Sequence, residues 1–423
     1  MTGMFGAPVT RVTVLLLLLA SCEALKHHDF RKCADTPFCE KHRAFNPSDH
    51  WTVDGASVKL TAATLTAKLR PPKLGEPLLP LLLSITVLKS GAVRIHADED
   101  PDIPLESLTK ADPAVAQPEE WDEDMDGPWD APEIKLGRAV KRRFSPAAAL
   151  ASDGVLAHVS SGCDLQAVEA GHVLRCSNGD DALGVEVRLH HEPLSITIID
   201  RDGESPAAVL NGRGKLLFEP FRQAVASGTA EAASITPPHT FNGHNDPMVY
   251  GSSSVGLDIT LPQATHAYGL PERTVSHDLP STLGKSEPYR LFNLDVFEYE
   301  LDHPMTVYGS VPFLHAHGDK GSYGLLWLNP SESFVDLGCP SGDGDATRGV
   351  CSHWYSASGT IDLFVFIGKT PSDVTRQHAA LTGVTPLPPL FSLGYHQCRW
   401  NYRDERDVSQ VHGAFEEHGL PFD

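Results

Sequence analysis

Short apolar runs separated by polar turn residues occupy most of the chain. From Val53 to Ile95, and again from Val140 to Phe366, runs rich in Val, Ile, Leu, Phe and Tyr alternate with clusters of Gly, Asn, Asp and Pro. The clearest runs are VLRCSNGDDALGVEVRL, SITIIDRDG, GKLLFEPF, SVGLDITLP, YRLFNLDVFEYEL, GLLWLN, FVDLG and TIDLFVFIG. This spacing is typical of antiparallel strands joined by turns rather than of βαβ units. We therefore predict a mainly β protein built on a large antiparallel β-sandwich.

A helix is predicted where the β-rich region ends. Thr370 can cap its N-terminus, Pro371 suits the first helical position, and Gly383 marks its end. The sequence PLPP follows directly, and prolines of this kind interrupt regular structure. We place the domain boundary here, so that residues 25–385 form the sandwich domain.

The last forty residues have a different pattern. The apolar run LFSL leads into YHQCRWNY, where aromatic, amide and guanidinium groups are crowded together. This arrangement is typical of a buried parallel strand whose C-terminal end opens onto a site. Asp404 to His418 then has acids early and apolar residues at helical spacing, with Gly419 as a stop. We predict that residues 386–423 are the first βα unit of a (β/α)8 barrel, cut short at Asp423.

The N-terminus carries the features of a secretory signal peptide. Arg11 precedes an apolar core from Val12 to Ala20, and SCEA suits a cleavage site, so residues 1–24 are predicted to be removed. The core is too short for a transmembrane helix, which needs about 20 apolar residues. No later stretch predicts a membrane span, and the mature chain is expected in the secretory pathway.

The net charge of −21 is concentrated in one segment. Between Asp98 and Glu133 there are 14 acidic residues and one basic residue, Lys110. We predict that residues 98–133 form a solvated surface insertion, since a calcium loop would need a regular ligand register that DEDMDGPWD lacks. Elsewhere the charge is only mildly negative, which gives no electrostatic support for binding nucleic acid.

Seven of the eight cysteines lie outside the predicted signal peptide, in an oxidising compartment where disulfides form. Cys33 and Cys39 are the first predicted pair, because they can close the small loop CADTPFC. Proximity alone suggests Cys163 with Cys176, and Cys339 with Cys351. Cys398 is then left over as a buried thiol in the predicted barrel strand.

Common cofactor and metal motifs are absent. The chain contains no GxGxxG, GxxxxGK[ST], HExxH or GxSxG sequence, and no CxxC pair for structural zinc. His315 and His317 could share one strand face, but no third ligand is evident, and His190 with His191 gives no better signal. We predict neither a metal site nor a cofactor.

One acidic residue in the β-rich region stands apart. In PYRLFNLDVFEYEL, Asp295 alternates onto the same face as Asn293, Phe297 and Tyr299. A carboxylate there must be paired or face a polar pocket, because burying it alone is costly. Sugar sites combine aromatic rings with carboxylates that accept bonds from hydroxyls. The residues leave a second interpretation open, in which Asp295 lies in a hairpin turn and pairs with Arg290.

Several of these stretches resemble glycoside hydrolase family 31. They are SVGLDITLP, HAYGLPE, NLDVFEYE, PMTVYGSVPFL and PPLFSLGYHQCRWNYRD. Their sequences are most similar to those of family members from the endoplasmic reticulum. The resemblance extends from about Val255 to Phe422. It implies a galactose-mutarotase-like sandwich before a catalytic barrel, and it assigns substrate binding to Asp295. The family usually has His at the position of Arg273, so the contacts of that loop are expected to differ.

The family's activity is retaining hydrolysis of α-linked glucose by two carboxyl groups that lie about 5 to 5.5 Å apart. Both belong to later barrel strands, one in a WxDMNE-like motif that these 423 residues lack. The resemblance therefore implies the N-terminal part of an α-glucosidase with no catalytic residue in this chain, which is expected to be inactive alone. It also implies an oligosaccharide substrate, N-glycan trimming in the endoplasmic reticulum lumen, and a non-catalytic β subunit as partner.

Two other interpretations remain open. One is a stand-alone sandwich that binds carbohydrate without cleaving it. The other is a different family 31 enzyme, such as an α-xylosidase or a lysosomal-type α-glucosidase, although NLDVFEYE and GYHQCRWNY favour the endoplasmic-reticulum members.

Overall fold

The predicted apolar runs form strands in the computed structural model. It describes residues 30–73, 78–102, 143–144, 146–152, 155–157, 159–177, 184–199, 205–220, 239–246, 252–296, 299–340 and 349–423. The predicted signal peptide lies outside these residues, as does most of the predicted acidic insertion. Asp98 and Glu99, its first two residues, belong to a strand instead.

Two antiparallel sheets account for the described strands, apart from one small hairpin. The first sheet has the order β1-β3-β4-β5-β21-β18-β17-β15, with β2 paired to β3. Its strands are β1 (Thr52–Val53), β2 (Lys59–Thr61), β3 (Thr64–Arg70), β4 (Leu81–Val87), β5 (Val93–Glu99), β15 (His266–Gly269), β17 (Phe313–Gly318), β18 (Gly321–Trp327) and β21 (Ile361–Gly368).

The second sheet has the order β16-β19-β20-β14-β10-β9-β8-β7-β6, with β11 paired to β14. Its strands are β6 (Gly162–Val168), β7 (Gly171–Ser177), β8 (Val185–His191), β9 (Leu194–Ile199), β10 (Pro206–Leu210), β11 (Leu217–Phe218), β14 (Val255–Leu261), β16 (Tyr289–Leu291), β19 (Ser333–Leu337) and β20 (Val350–Ser356). The hairpin is β12 (His239–Phe241) with β13 (His244–Asp246). The predicted mainly β, two-sheet fold is confirmed.

Burial along the strands shows where the core lies. In β3, β4 and β5, buried and partly buried residues alternate, because one face of the sheet packs inward. The strands β14, β18 and β21 are buried at every position. Between the sheets, the rings of Trp327 and Trp354 stack with centroids 6.0 Å apart. Burying one large apolar side chain stabilises a fold by roughly 1.5–3 kcal/mol, so this shared interior dominates stability.

An N-terminal helix, α1 (Pro37–Ala44), packs on β20 of the second sheet. A disulfide joins Cys33 to Cys39, and this pair clusters with the buried rings of Phe334 and Tyr355. The predicted Cys33–Cys39 bond is therefore present, as are Cys163–Cys176 and Cys339–Cys351.

The predicted connector helix is confirmed as α2 (Pro371–Thr382). The Thr370 hydroxyl accepts a hydrogen bond from the Asp373 backbone N–H at 3.3 Å, which caps the N-terminus. Gly383 follows the helix with φ of 84°, a left-handed conformation that costs little only for glycine. Val374 and Leu381 pack into a second apolar cluster with β18 and β21, so these strands are covered on both faces.

Residues Thr382–Asp423 form a separate compact unit. Its helix, α3 (Glu405–Glu417), is present as predicted, and the Asp404 side chain caps it by accepting from Asp407 N–H at 2.9 Å. The predicted strand is wrong, because Leu390–Leu393 forms a 3-10 helix and the residues that follow are irregular. The prediction of a buried Cys398 is wrong too, since its thiol is free and exposed. A strand needs neighbours to pair with, and the unit Thr382–Asp423 contains no described strand.

Candidate functional site

The segment that carries Asp295 leaves the second sheet at its edge. The strand β16 ends at Leu291, and the chain then continues in irregular conformation. The sequence pattern suggests a long alternating strand here, but the observed strand, β16, has only three residues. Burial still alternates from Asn293 to Val296, with Asn293 and Asp295 exposed, Leu294 partly buried and Val296 fully buried. Phe297 lies outside the described residues.

A small apolar cluster anchors this segment and turns Asp295 outward. Val296 and Val307 form its buried centre, and Leu294 and Met305 pack against them. Because the residues on both sides of Asp295 are held by this packing, its side chain projects from a fixed backbone. The cluster is separate from the main interior of the sandwich.

Tyr308 connects to both neighbours of Asp295. Its backbone N–H donates to the Leu294 carbonyl at 2.7 Å, and its hydroxyl donates to the Val296 carbonyl at 3.2 Å. Tyr308 has φ of 49°, which is uncommon for a residue with a large side chain, and its ring is half exposed. Strained backbone of this kind persists only where the surroundings determine it. These bonds identify Tyr308 as the residue that positions Asp295.

A third segment supports Tyr308 from the other side. Glu272 donates its backbone N–H to the Gly309 carbonyl at 2.9 Å, and its carbonyl accepts from Val307 N–H at 3.0 Å. One oxygen of the Glu272 carboxylate also accepts from Gly309 N–H at 3.1 Å. The Glu272 carboxylate therefore stabilises the loop through a hydrogen bond, whereas the Asp295 carboxylate forms no such bond to the described residues.

Arg273 ties the ends of the Asp295 segment together. Its guanidinium donates to the carbonyls of Leu270, Pro304 and Arg290, and it lies over the Tyr289 ring, 5.0 Å from the centroid. Burial lowers the pKa of Arg273 to about 10, so the group remains charged near neutral pH. The residue that departs from the family's usual His thus has a structural role in this chain.

The pairing of Asp295 with Arg290 is wrong. Arg290 instead donates to Glu332 at 2.7 Å and to the Arg31 carbonyl at 2.9 Å. Among the residues that the structure describes, none forms a hydrogen bond or an ion pair with the Asp295 side chain. Its two oxygens are therefore free to accept bonds from a ligand, and the ring of Tyr299, four residues along the chain, is half exposed. A free carboxylate and an aromatic face are groups that sugar hydroxyls and pyranose rings bind.

The histidines considered from sequence form no metal centre. His317 bonds to the Ser322 hydroxyl at 2.7 Å, while the buried Nε2 of His315 has no partner in the described part of the chain. His191 bonds to His172 at 2.9 Å, and burial lowers its pKa. Within the described ranges, no group of three possible metal ligands comes together.

Asp295 is identifiable from the sequence, whereas the residues that hold it are not. PMTVYGSVPFL resembles the family's sequences, yet nothing in its pattern indicates that Tyr308 adopts a left-handed conformation. Nor does it indicate that the Tyr308 hydroxyl donates to the carbonyl of Val296, 12 residues earlier. The sequence shows that Arg273 replaces the family's usual His. Its three carbonyl partners follow only from tertiary contacts.

Comparison with known proteins gives two family matches. The family described as "Glycosyl hydrolase 31 N-terminal galactose mutarotase-like domain" matches residues 82–336, and "Glycosyl hydrolases family 31 TIM-barrel domain" matches residues 385–423.

No described helix is long and apolar enough to cross a membrane.

Similar proteins match either nearly the whole chain or about half of it. A "Probable glucan 1,3-alpha-glucosidase" from Arabidopsis thaliana is 33% identical over 94% of this chain and 40% of its own length. The "Glucosidase 2 subunit alpha" of Schizosaccharomyces pombe is 43% identical over 53% of this chain and 24% of its own length. The crystal structure of an "ER glucosidase II heterodimeric complex" includes a catalytic subunit with a TM-score of 0.72 and 30% identity, covering 94% of this chain and 42% of that one.

This chain thus spans less than half the length of each of these proteins. The first family match alone covers more than half of the residues here, and it contains Asp295 and the loop that holds it. The chain belongs to glycoside hydrolase family 31.

Proposed function

We propose that this chain is the N-terminal part of a retaining α-glucosidase that removes terminal α-linked glucose. The support is family membership, together with relatives named as α-glucosidases. In this role the sandwich carries the catalytic barrel and contributes one loop to its site. The two carboxyl groups of retaining hydrolysis then belong to the barrel, and this chain supplies none of them.

Asp295 is the substrate-binding residue of the proposal. The observation that carries it is an exposed carboxylate with no described partner, on a loop held by Tyr308 on both sides of it. An ionised carboxylate accepts strong hydrogen bonds, so Asp295 can bind two hydroxyls of one glucose and fix its orientation. Orientation of the reacting sugar lowers the barrier because the correct geometry is set before reaction.

The substrate is proposed to be the glucose-capped N-glycan, and the location the lumen of the endoplasmic reticulum. The S. pombe relative is a glucosidase 2 α subunit, and the matched crystal structure is of glucosidase II from that compartment. Its title also names a binding domain of a regulatory subunit, which supports a non-catalytic β subunit as partner. The residues 1–24 are proposed as the signal peptide that directs entry.

The test is a steady-state kinetic assay of α-glucosidase activity. It uses a longer protein in which this chain continues into a complete family 31 barrel. Asp295→Asn removes the charge with little change in size, and we expect kcat/KM to fall about 10- to 100-fold, since a hydrogen bond to a charged group contributes about 1.5–3 kcal/mol. Asp319→Asn, in an exposed turn, is the matched control and should leave kcat/KM unchanged. Equal activity of the two variants would refute the role of Asp295.

A second variant separates positioning from direct contact. Tyr308→Phe removes only the hydroxyl bond to Val296 and keeps the backbone bond to Leu294. We expect KM to rise about 3- to 10-fold with kcat nearly constant, because one neutral hydrogen bond contributes about 0.5–1.5 kcal/mol. Combining it with Asp295→Asn should add little, since both changes act on one contact. Additive losses would instead mean that Tyr308 acts on its own.

A further inference from the structure

A cavity lies on the outer face of the first sheet, away from the loop of Asp295. Its volume is about 310 Å³, at the lower end of the range for small-molecule sites. Inward-facing residues of β3, β4 and β5 fill the core, and their outward-facing neighbours line this cavity. The lining residues are Thr64, Ser84, Thr86, Leu88, Arg94, His96 and Leu156.

Three of its polar groups have spare hydrogen-bonding capacity. Within the described residues, no partner bonds to the Ser84 hydroxyl, the His96 imidazole or Nη1 of Arg94. Burial lowers the pKa of His96, so the ring is neutral near pH 7 and offers one donor and one acceptor. Thr64 and Thr86 share one hydrogen bond at 2.9 Å, which leaves further capacity on both hydroxyls.

The cavity is polar but carries no net charge. Arg94 forms a two-pronged ion pair with the fully buried Asp362, at 2.8 Å through Nε and 2.7 Å through Nη2. The guanidinium is thus neutralised, and it is also held 5.6 Å from the centre of the Phe364 ring. A phosphate or carboxylate would have to compete with Asp362 for this cation. The lining therefore favours a neutral ligand with many hydroxyls.

The remaining walls are apolar and the floor is rigid. Leu88 and Leu156 supply the apolar surface, while the floor consists of paired strands with Thr64 opposite Thr86. A preformed floor reduces the entropy lost on binding. We propose that this cavity is a second carbohydrate site, which binds one neutral hexopyranose unit of an oligosaccharide.

This site is independent of the proposed catalytic function. It is built on β3, β4 and β5 of the first sheet, whereas Asp295 follows β16 at the edge of the second sheet. Either site can therefore fail its test without the other.

The test is a saturation-transfer NMR titration of the chain with methyl α-D-glucopyranoside and methyl α-D-mannopyranoside. At least one should bind saturably with Kd in the millimolar range, equivalent to about −4 kcal/mol. Thr86→Leu fills the cavity and should abolish binding. Thr197→Leu is the matched control, because Thr197 is a partly buried position on β9 of the second sheet, outside the lining, and it should leave Kd unchanged.

A milder variant keeps the outcome interpretable if Thr86→Leu folds poorly. Ser84→Val removes one free hydroxyl on an outward-facing position and should weaken binding about 5- to 10-fold, as expected for one hydrogen bond. All titrations are also run in the Asp295→Asn background, so that sugar bound at the proposed Asp295 site does not contribute to the signal. The proposal is overturned if neither sugar binds, if binding persists unchanged in Thr86→Leu and Ser84→Val, or if inorganic phosphate displaces the sugar.

Discussion

Two apolar runs in this protein have nearly the same sequence character but opposite fates. Ile361–Gly368, with the sequence IDLFVFIG, forms β21 and is buried at every position. The run LFSL, which begins at Leu390, was expected to enter a buried strand, but it forms a 3-10 helix. Leu390 is 84% exposed and Trp400 is 91% exposed.

The difference lies in the neighbours of each run. β21 pairs with β18 on one side and β5 on the other, so its backbone groups are satisfied and both of its faces are covered. The unit that contains Leu390, Thr382–Asp423, has no described strand to pair with the run, whose backbone bonds remain local. Apolar character therefore predicts burial only where partner strands supply hydrogen bonds and packing.

The largest expected contrast is between two phenylalanines. Phe366 in β21 is fully buried, with the Phe313 ring 6.1 Å away. Phe366→Ala should lower the free energy of unfolding by about 3–5 kcal/mol, because it leaves a cavity. Phe391→Ala removes a ring that is 61% exposed and should change it by less than about 0.5 kcal/mol. Urea unfolding followed by tryptophan fluorescence measures both, and similar losses would contradict the comparison.

Two glycines give the next contrast. A Cβ at Gly256 in β14 would lie 2.5 Å from Nδ1 of the buried His42 and 3.0 Å from the Trp354 carbonyl oxygen. Gly256→Ala should cost about 1–3 kcal/mol, as expected for overpacking. Gly413 in α3 has open space around it, and Gly413→Ala should stabilise its helix by about 0.5–1 kcal/mol. Thermal unfolding by circular dichroism tests both; an unchanged midpoint for Gly256→Ala would mean that His42 moves freely.

Buried histidines make the sandwich sensitive to acid. Burial lowers the pKa of His42 from 6.5 to about 3, with Glu219 opposing and Lys41 assisting the shift. The unfolded chain then binds a proton first, so stability is greatest above pH 6.5 and falls as the pH drops toward 3. Between pH 7 and 5 the loss from His42 is about 2 kcal/mol. Urea midpoints across this range should fall less steeply in His42→Gln; an identical slope would contradict the assignment.

The smallest expected effect concerns the free thiol. Cys398 is exposed, whereas the six sandwich cysteines are joined in disulfides. Iodoacetamide should modify Cys398 in the folded protein, and Cys398→Ser should change stability by less than about 0.5 kcal/mol. Peptide mass spectrometry locates the label. Protection of Cys398 would show that this segment is covered in solution.

Much of the sandwich could be predicted from local pattern. The runs SVGLDITLP, GLLWLN and TIDLFVFIG became β14, β18 and β21, because turn residues and apolar spacing are local signals. The helix at Pro371 was equally predictable from its cap and its terminal glycine. Strand order was not, since β21 pairs with β5 across more than 260 residues of sequence.

The candidate site also has features that the sequence indicates and features that it does not. Asp295 was found from its alternation with apolar residues and from family resemblance, and this alternation survives in the burial of residues 293–296. The alternative pairing of Asp295 with Arg290 is wrong, because Arg290 lies near Asp295 in sequence but pairs with Glu332 in the fold. The cavity at Ser84 and His96 has no signal in the sequence, since it brings residues of β3, β4 and β5 together with the distant Leu156.

Local sequence pattern fixes the β-rich class and the connector helix; it also indicates Cys33–Cys39 as the first disulfide, the other two pairs by proximity, and Asp295 as a candidate residue. Those features depend on short-range spacing and on the side chain's own chemistry. Contacts between distant segments set which strands are neighbours, how Tyr308 and Arg273 hold the Asp295 loop, and why the run at Leu390 forms no strand. These outcomes depend on contacts between distant segments, because a buried backbone group or charge is stable only when another part of the fold satisfies it.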